Sequence, residues 1–113
     1  MTKFKTVYRV ETKKSGKGPF DSYAHAMNCR LPTPEFDDEL WNINLHSNDR
    51  FGAPTKNAMR SWIVSPVMLK RASYVVRKYS VPIDKVVSSP IQCIFNKKEA
   101  LLVEEYDIVE FVK

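Results

Sequence analysis

The side chains that carry most enzyme chemistry are few in this chain of 113 residues: His25 and His46 are its histidines, Cys29 and Cys93 its cysteines. A zinc centre needs ligands at short, recurrent spacings, and a phosphotransfer loop needs a fixed run of charged residues around its base. Neither histidine stands in an HExxH, HxE or HRD setting, so neither chemistry has its residues here. His25 falls on a predicted amphipathic helix and reads as a surface or half-buried helper. His46, in a long loop, is the better site candidate. A cysteine nucleophile requires a neighbouring base and a depressed pKa. Cys93, in the middle of IQCIF, reads instead as a small core residue. Ser15, Ser61, Ser65 and Ser73 lie in no nucleophile elbow. Asp37, Asp38 and Glu39 carry the charge for a metal or an acid/base pair, but adjacent positions on one loop read as a solvated run, which leaves no metal site.

Two further features invite a binding role. Gly16-Lys17-Gly18 follows a strand-like segment and precedes a helix-like one, the setting in which backbone amides cradle phosphates. Its spacing is neither GxxxxGK[ST] nor GxGxxG, so it reads as a surface turn with a local excess of cations. Trp41 and Trp62, with Arg60, Lys70 and Arg71 near the second, suggest base-stacking platforms. Trp62 shares helical spacing with Met59 and Ile63 and reads as core. Trp41, on the acidic loop, reads as an exposed anchor for a partner.

The chain has 18 Lys+Arg against 13 Asp+Glu, a net charge of +5, and is 43% hydrophobic. That size and apolar content suit a single domain spanning 1–113 with one core. The charge favours acidic partners without reaching the basic stripe of a dedicated nucleic-acid binder. Its layout is uneven: Lys3, Lys5, Arg9, Lys13, Lys14 and Lys17 open the chain, Glu35 to Asp49 is acidic, Lys56 to Lys85 is basic, and the last seventeen residues are acidic again. Segments of opposite sign pair within one fold under the simpler reading, and present an electropositive face under the other. Two cysteines are too few for a disulfide framework and suit a reducing compartment. No leader-like apolar run opens the chain and no stretch approaches the roughly 20 apolar residues of a membrane span, so the expectation is a cytoplasmic protein without membrane contact.

The elements that must position these residues follow from periodicity. Thr6 to Thr12 is a predicted strand, with Arg9 and Glu11 on one face. Asp21 or Ser22 caps a predicted short helix running to Cys29. A long acidic loop occupies about 31–50, made structured by Phe36, Leu40, Trp41, Ile43 and Leu45. Pro54 suits the first turn of a helix bearing Ala58, Met59, Trp62 and Ile63, and Ser65-Pro66 starts another that ends near Ala72. Tyr74 to Val81 is a strand, Val86-Val87 a short edge strand. Ile91 to Phe95 and Leu101 to Val103 read as a hairpin or near neighbours, and Tyr106 to Val112 as a last strand. One strand, a helical middle and a run of strands make an α+β fold with a mainly antiparallel sheet.

Taken together, VYRVE, GKGPF, an acidic loop, FGAPTKNAMRSW, YVVRKYSVP and IQCIFNKKEAL resemble a group of small bacteriophage proteins of unassigned function. That resemblance covers most of the chain and implies an accessory factor that binds a host protein or complex and modulates or inhibits it, in host takeover or against a defence component, with no catalysis and no cofactor. The partner-binding residues under this reading are Arg9, Lys14, Lys17, Trp41 and Arg60. A weaker likeness is to ADP-ribosyltransferase-like domains, which open on a strand with an Arg or His beside Tyr and end in strands bearing a catalytic Glu. It implies NAD as cofactor, with Arg9 holding the dinucleotide and Glu99, or Gln92 in its place, near the sugar. A third reading is direct binding of nucleic acid, marked by steep loss of affinity with salt.

Overall fold

The structure, a computed structural model, describes residues 3–16, 48–90 and 92–113. Six strands and three short helices are formed by these residues. The first strand, β1 (Phe4–Thr12), pairs antiparallel along its whole length with β3 (Tyr74–Pro82), and β3 pairs antiparallel on its other side with β6 (Leu101–Asp107). A second antiparallel sheet has β5 (Cys93–Asn96) at its centre, between β2 (Asp49–Gly52) and β4 (Val86–Ser88). The result is the α+β fold with mainly antiparallel sheet that the residue pattern predicts.

Because side chains alternate across a strand, β1 sends Tyr8 and Val10 to one face and Val7, Arg9 and Glu11 to the other. Both faces are covered: Val7 to Glu11 are all buried. On the first face, Tyr8, Val10, Tyr74 and Val76 pack against α1 (Lys56–Trp62), α2 (Pro66–Arg71) and α3 (Ile108–Phe111) through Met59, Trp62, Leu69, Ile108 and Phe111. On the second, Val7, Tyr79 and Val81 pack against Cys93 and Phe95 of the second sheet. The large sheet is thus the middle of three layers, helices on one side and the small sheet on the other.

One residue lets the two sheets meet. A Cβ on Gly52 would stand 2.5 Å from Val7 Cγ1 and 2.8 Å from the Tyr8 carbonyl oxygen, closer than any side chain tolerates. With no side chain there, the next residue bridges to β1 by a reciprocal pair of backbone bonds, Tyr8 N to Ala53 O at 2.9 Å and Ala53 N to Tyr8 O at 2.7 Å. The FG of FGAPTKNAMRSW therefore marks a sheet junction rather than a helix lead-in.

Several expectations are corrected. Asp49 and Arg50, assigned above to the long loop, open β2. Pro54 precedes the cap rather than occupying the first turn, and Thr55 caps α1 by accepting from Ala58 N at 3.1 Å. The segments expected to form a hairpin at the end of the chain go to different sheets, because Asn96 Oδ1 caps a 3-10 turn over Lys97–Glu99 that lifts the chain out of the small sheet and sets β6 beside β3. The expected last strand, Tyr106 to Val112, ends at Asp107. Asp107 Oδ1 accepts from Val109 N at 3.0 Å and Glu110 N at 3.1 Å, nucleating α3 despite its β-branched residues, and Ile108 and Phe111, three apart on one helix face, close the core. Ser73, just past α2, has φ of 66°, the left-handed conformation that usually falls to glycine after a helix.

Candidate functional site

The polar centre of the molecule is the carboxylate of Glu11, which is wholly buried. On its face of the large sheet, strand register sets Arg9 directly across from Arg77, and Arg77 across from Glu105. Glu11 Oε1 accepts from Arg77 NH1 at 3.0 Å and from the Tyr79 hydroxyl; Glu11 Oε2 accepts from Arg9 Nε at 3.1 Å and Lys97 Nζ at 2.9 Å. Burial of the carboxylate raises its pKa, but the bonds from Tyr79, Lys97 and Arg77 outweigh burial and hold it below the ordinary glutamate value of 4.5. Burial, followed by the bond to Glu11, raises the Tyr79 phenol well above its usual range, so Tyr79 serves as a donor. Burial opposes the charge of Arg77, and the bonds to Glu11 and Glu105 override it and raise its pKa.

The cations around Glu11 also hold the turn that follows β1. Arg77 NH2 donates to the Lys13 carbonyl at 2.7 Å, and Lys97 Nζ donates to the Gly16 carbonyl at 3.1 Å. Gly16 has φ of 69°, and its amide closes the turn onto Thr12 O at 2.9 Å. Lys13 and Lys14 are exposed on a turn whose backbone is tied to the core by two of the groups that neutralise Glu11. The arrangement fixes the backbone of a turn that carries two exposed lysines.

A family model described as the bacteriophage T4 Y00F protein matches residues 1–109. The chain belongs to that family. No curated protein and no solved structure matches it. Membership makes it a small phage protein.

In this Y00F-family protein the residues singled out from sequence are scattered. Arg9 is buried rather than presented on the surface: its guanidinium bonds Glu11 and, through NH1, the Phe51 carbonyl at 2.9 Å. Arg60, exposed on α1, donates from Nε to the Phe111 carbonyl at 2.9 Å and lies over the Phe111 ring at 5.5 Å, fastening α1 to α3. Lys14 is exposed on the turn, and Glu99 is exposed in the 3-10 turn over Lys97–Glu99. Gln92 is buried. Lys17 and Trp41 lie outside the described residues, as do His25, His46, Cys29, the acidic cluster Asp37 to Glu39 and the helix expected before Cys29. Trp62 is core and Cys93 is buried, as their settings implied; burial raises the Cys93 thiol to about 12.

Sequence reasoning placed Arg9 and Glu11 on one face but missed their partners Arg77, Tyr79 and Lys97. The available signal was the matching alternation of Arg77 and Tyr79 on the strand with the strongest β character. The simpler reading of the charge layout holds where it can be followed: Lys70 pairs with Asp107 at 2.8 Å, Arg77 with Glu105 at 3.0 Å and Lys13 with Glu105 at 4.0 Å, joining basic segments to the acidic end of the chain. Among the described residues no helix is long and apolar enough to cross a membrane, and no group of His, Cys, Asp and Glu is arranged to hold a metal ion. A shallow groove of about 430 Å³ is lined by Lys5, Pro54, Thr55, Ser88, Ser89 and Pro90, groups suited to weak polar contact.

Proposed function

We propose that this phage protein is an accessory factor that binds a host macromolecule and modulates or inhibits it, acting on host machinery or on a defence component by occupying a surface. The observation that carries the reading is the anchored basic turn. Arg77 and Lys97, already engaged by a buried carboxylate, hold the Lys13 and Gly16 carbonyls, so the turn presents Lys13 and Lys14 with its backbone ordered in advance. Ordering a loop before binding removes an entropic cost of association, and exposed cations steer an acidic partner toward it. The buried ionic groups are engaged with one another and with the backbone of this turn, which suits a scaffold for recognition.

The test is affinity capture from lysate of the host bacterium at several salt concentrations, followed by kinetics with the purified partner. A stoichiometric partner is expected, and Lys14→Glu should slow association several-fold while leaving the melting temperature unchanged. Recovery of no stoichiometric partner at any salt concentration overturns the binding reading, and an unchanged on-rate in Lys14→Glu removes the basic turn from it. Calorimetry with NAD separates the ADP-ribosyltransferase reading: saturable heat at millimolar dinucleotide would favour an enzyme. A steep fall in DNA or RNA affinity with salt would favour the nucleic-acid reading.

A further inference from the structure

The outer edge of β6 differs from every other edge in the described residues. It pairs with β3 on one side only, runs for seven residues, and exposes three consecutive aliphatic side chains: Leu101 at 68%, Leu102 at 49% and Val103 at 55%. The register explains the run. Lys78 lies opposite Glu104 and Tyr79 opposite Leu102, so Val103 is an extra residue in a bulge that breaks the alternation of the strand. Beyond the aliphatic run come Glu104, which accepts from the Tyr106 hydroxyl, and Glu105. The strand itself has no cation.

An exposed strand edge offers a row of backbone donors and acceptors to whatever chain lies beside it, and the side chains decide which chain that is. A second copy would bring the four carboxylates of two Glu104-Glu105 pairs onto neighbouring strands about 4.8 Å apart, with no cation on either strand. Nucleic acid would meet the same carboxylates. Glu105 is already paired with Arg77 at 3.0 Å and Lys13 at 4.0 Å, whereas Glu104 makes no ion pair among the described residues. A strand with basic and aliphatic residues matches both halves of the edge.

We infer that the outer edge of β6 is a docking site for an extended basic segment of a partner polypeptide, added antiparallel as a fourth strand, with aliphatic residues beside Leu101 to Val103 and lysine or arginine beside Glu104. This rests on the reading of the protein as a binding factor and names a second surface for it. Its test needs no host protein, so its failure leaves the capture experiment standing.

The isotope-labelled full chain is titrated with an acetylated, amidated peptide of three lysines followed by three valines, and the amide resonances of residues 101–105 are followed. Saturable shifts centred on those amides are expected. At least tenfold weaker binding should follow for a peptide with glutamates in place of the lysines, and for one N-methylated at alternate backbone positions. Glu104→Lys, an exposed substitution whose folding is checked by circular dichroism, should lose the preference for the lysine peptide. Absence of shifts at millimolar peptide, equal affinity for the two charge types, or insensitivity to N-methylation overturns the proposal. So does a dimer in sedimentation that Leu102→Lys dissolves, which would assign the edge to a second copy.

Discussion

Replacing Glu11 by glutamine removes one charge and almost no volume, which isolates the electrostatic role of the buried carboxylate. Each oxygen of Glu11 accepts from two donors, Arg77 and Tyr79 on one side, Arg9 and Lys97 on the other. Whichever way the amide is turned, its NH₂ faces at least one cation and two donors. Only the Tyr79 hydroxyl can rotate to accept. The side chains of Arg9, Arg77 and Lys97 are 10%, 15% and 27% exposed, so the arginines cannot readily recover their lost partner from water and the lysine recovers part of it. Removing one member of such a buried ionic group costs about 3–5 kcal/mol, a large fraction of the roughly 5–15 kcal/mol that stabilises a domain. With a urea m-value of about 1.5 kcal/mol/M, the unfolding midpoint at neutral pH should fall by about 2–3 M. Glu105→Gln is the control: its carboxylate is 34% exposed, and the cost there should stay below about 1 kcal/mol. The sign with pH follows from the lowered pKa of Glu11. Its contribution is complete above the unfolded value near 4.5 and is lost as pH falls through the lower folded value, so the gap between wild type and Glu11→Gln should be constant from neutral pH down to about 5 and close on further acidification. A Glu11→Gln midpoint within about 0.5 M of wild type at pH 7 would refute the network as a stabilising element.

Three further expectations follow from local geometry. Gly52→Ala forces a Cβ into Val7 and the Tyr8 carbonyl and should destabilise by about 1–3 kcal/mol in a thermal melt; an unchanged melting temperature would show that the sheet junction gives way freely. Ser73→Gly relieves a left-handed backbone and should raise stability by about 0.5–1 kcal/mol, with no gain counting against the strain. In a Cys29→Ser background the remaining thiol, Cys93, should resist a disulfide reagent at pH 8 until urea unfolds the chain, since burial keeps it protonated; rapid native labelling would contradict that burial.

What could be read from sequence is what local forces decide. Strands Tyr74 to Val81 and Thr6 to Thr12, the helix bearing Met59 and Trp62, and the helix after Ser65-Pro66 each have a period and a start or stop signal strong enough to survive folding. The end of the chain does not. Ile108 to Val112 has strand-like residues, yet a capping aspartate and the burial of Ile108 and Phe111 in the helix-side core make it a helix. Arg9 illustrates the same limit for the site. A charged residue alternating with apolar ones predicts an exposed face; period two already sets Glu11 beside Arg9, and only the fold shows that both are buried and that Arg77, Tyr79 and Lys97 converge on them from strands and turns far along the chain. A buried ion network is a tertiary property, and a single residue pattern does not carry it.

The pairing of β1 with β3 also has a consequence for synthesis. The residues that complete the first strand lie about 60–80 positions further along the chain, an interval of several seconds at about 5–20 residues per second. Throughout that time Val7, Tyr8 and Val10 lack β3 and Glu11 lacks Arg77, Tyr79 and Lys97. A phage protein translated in this order emerges with its most buried strand waiting, and its yield should depend on the chaperone capacity of the host as well as on its final stability.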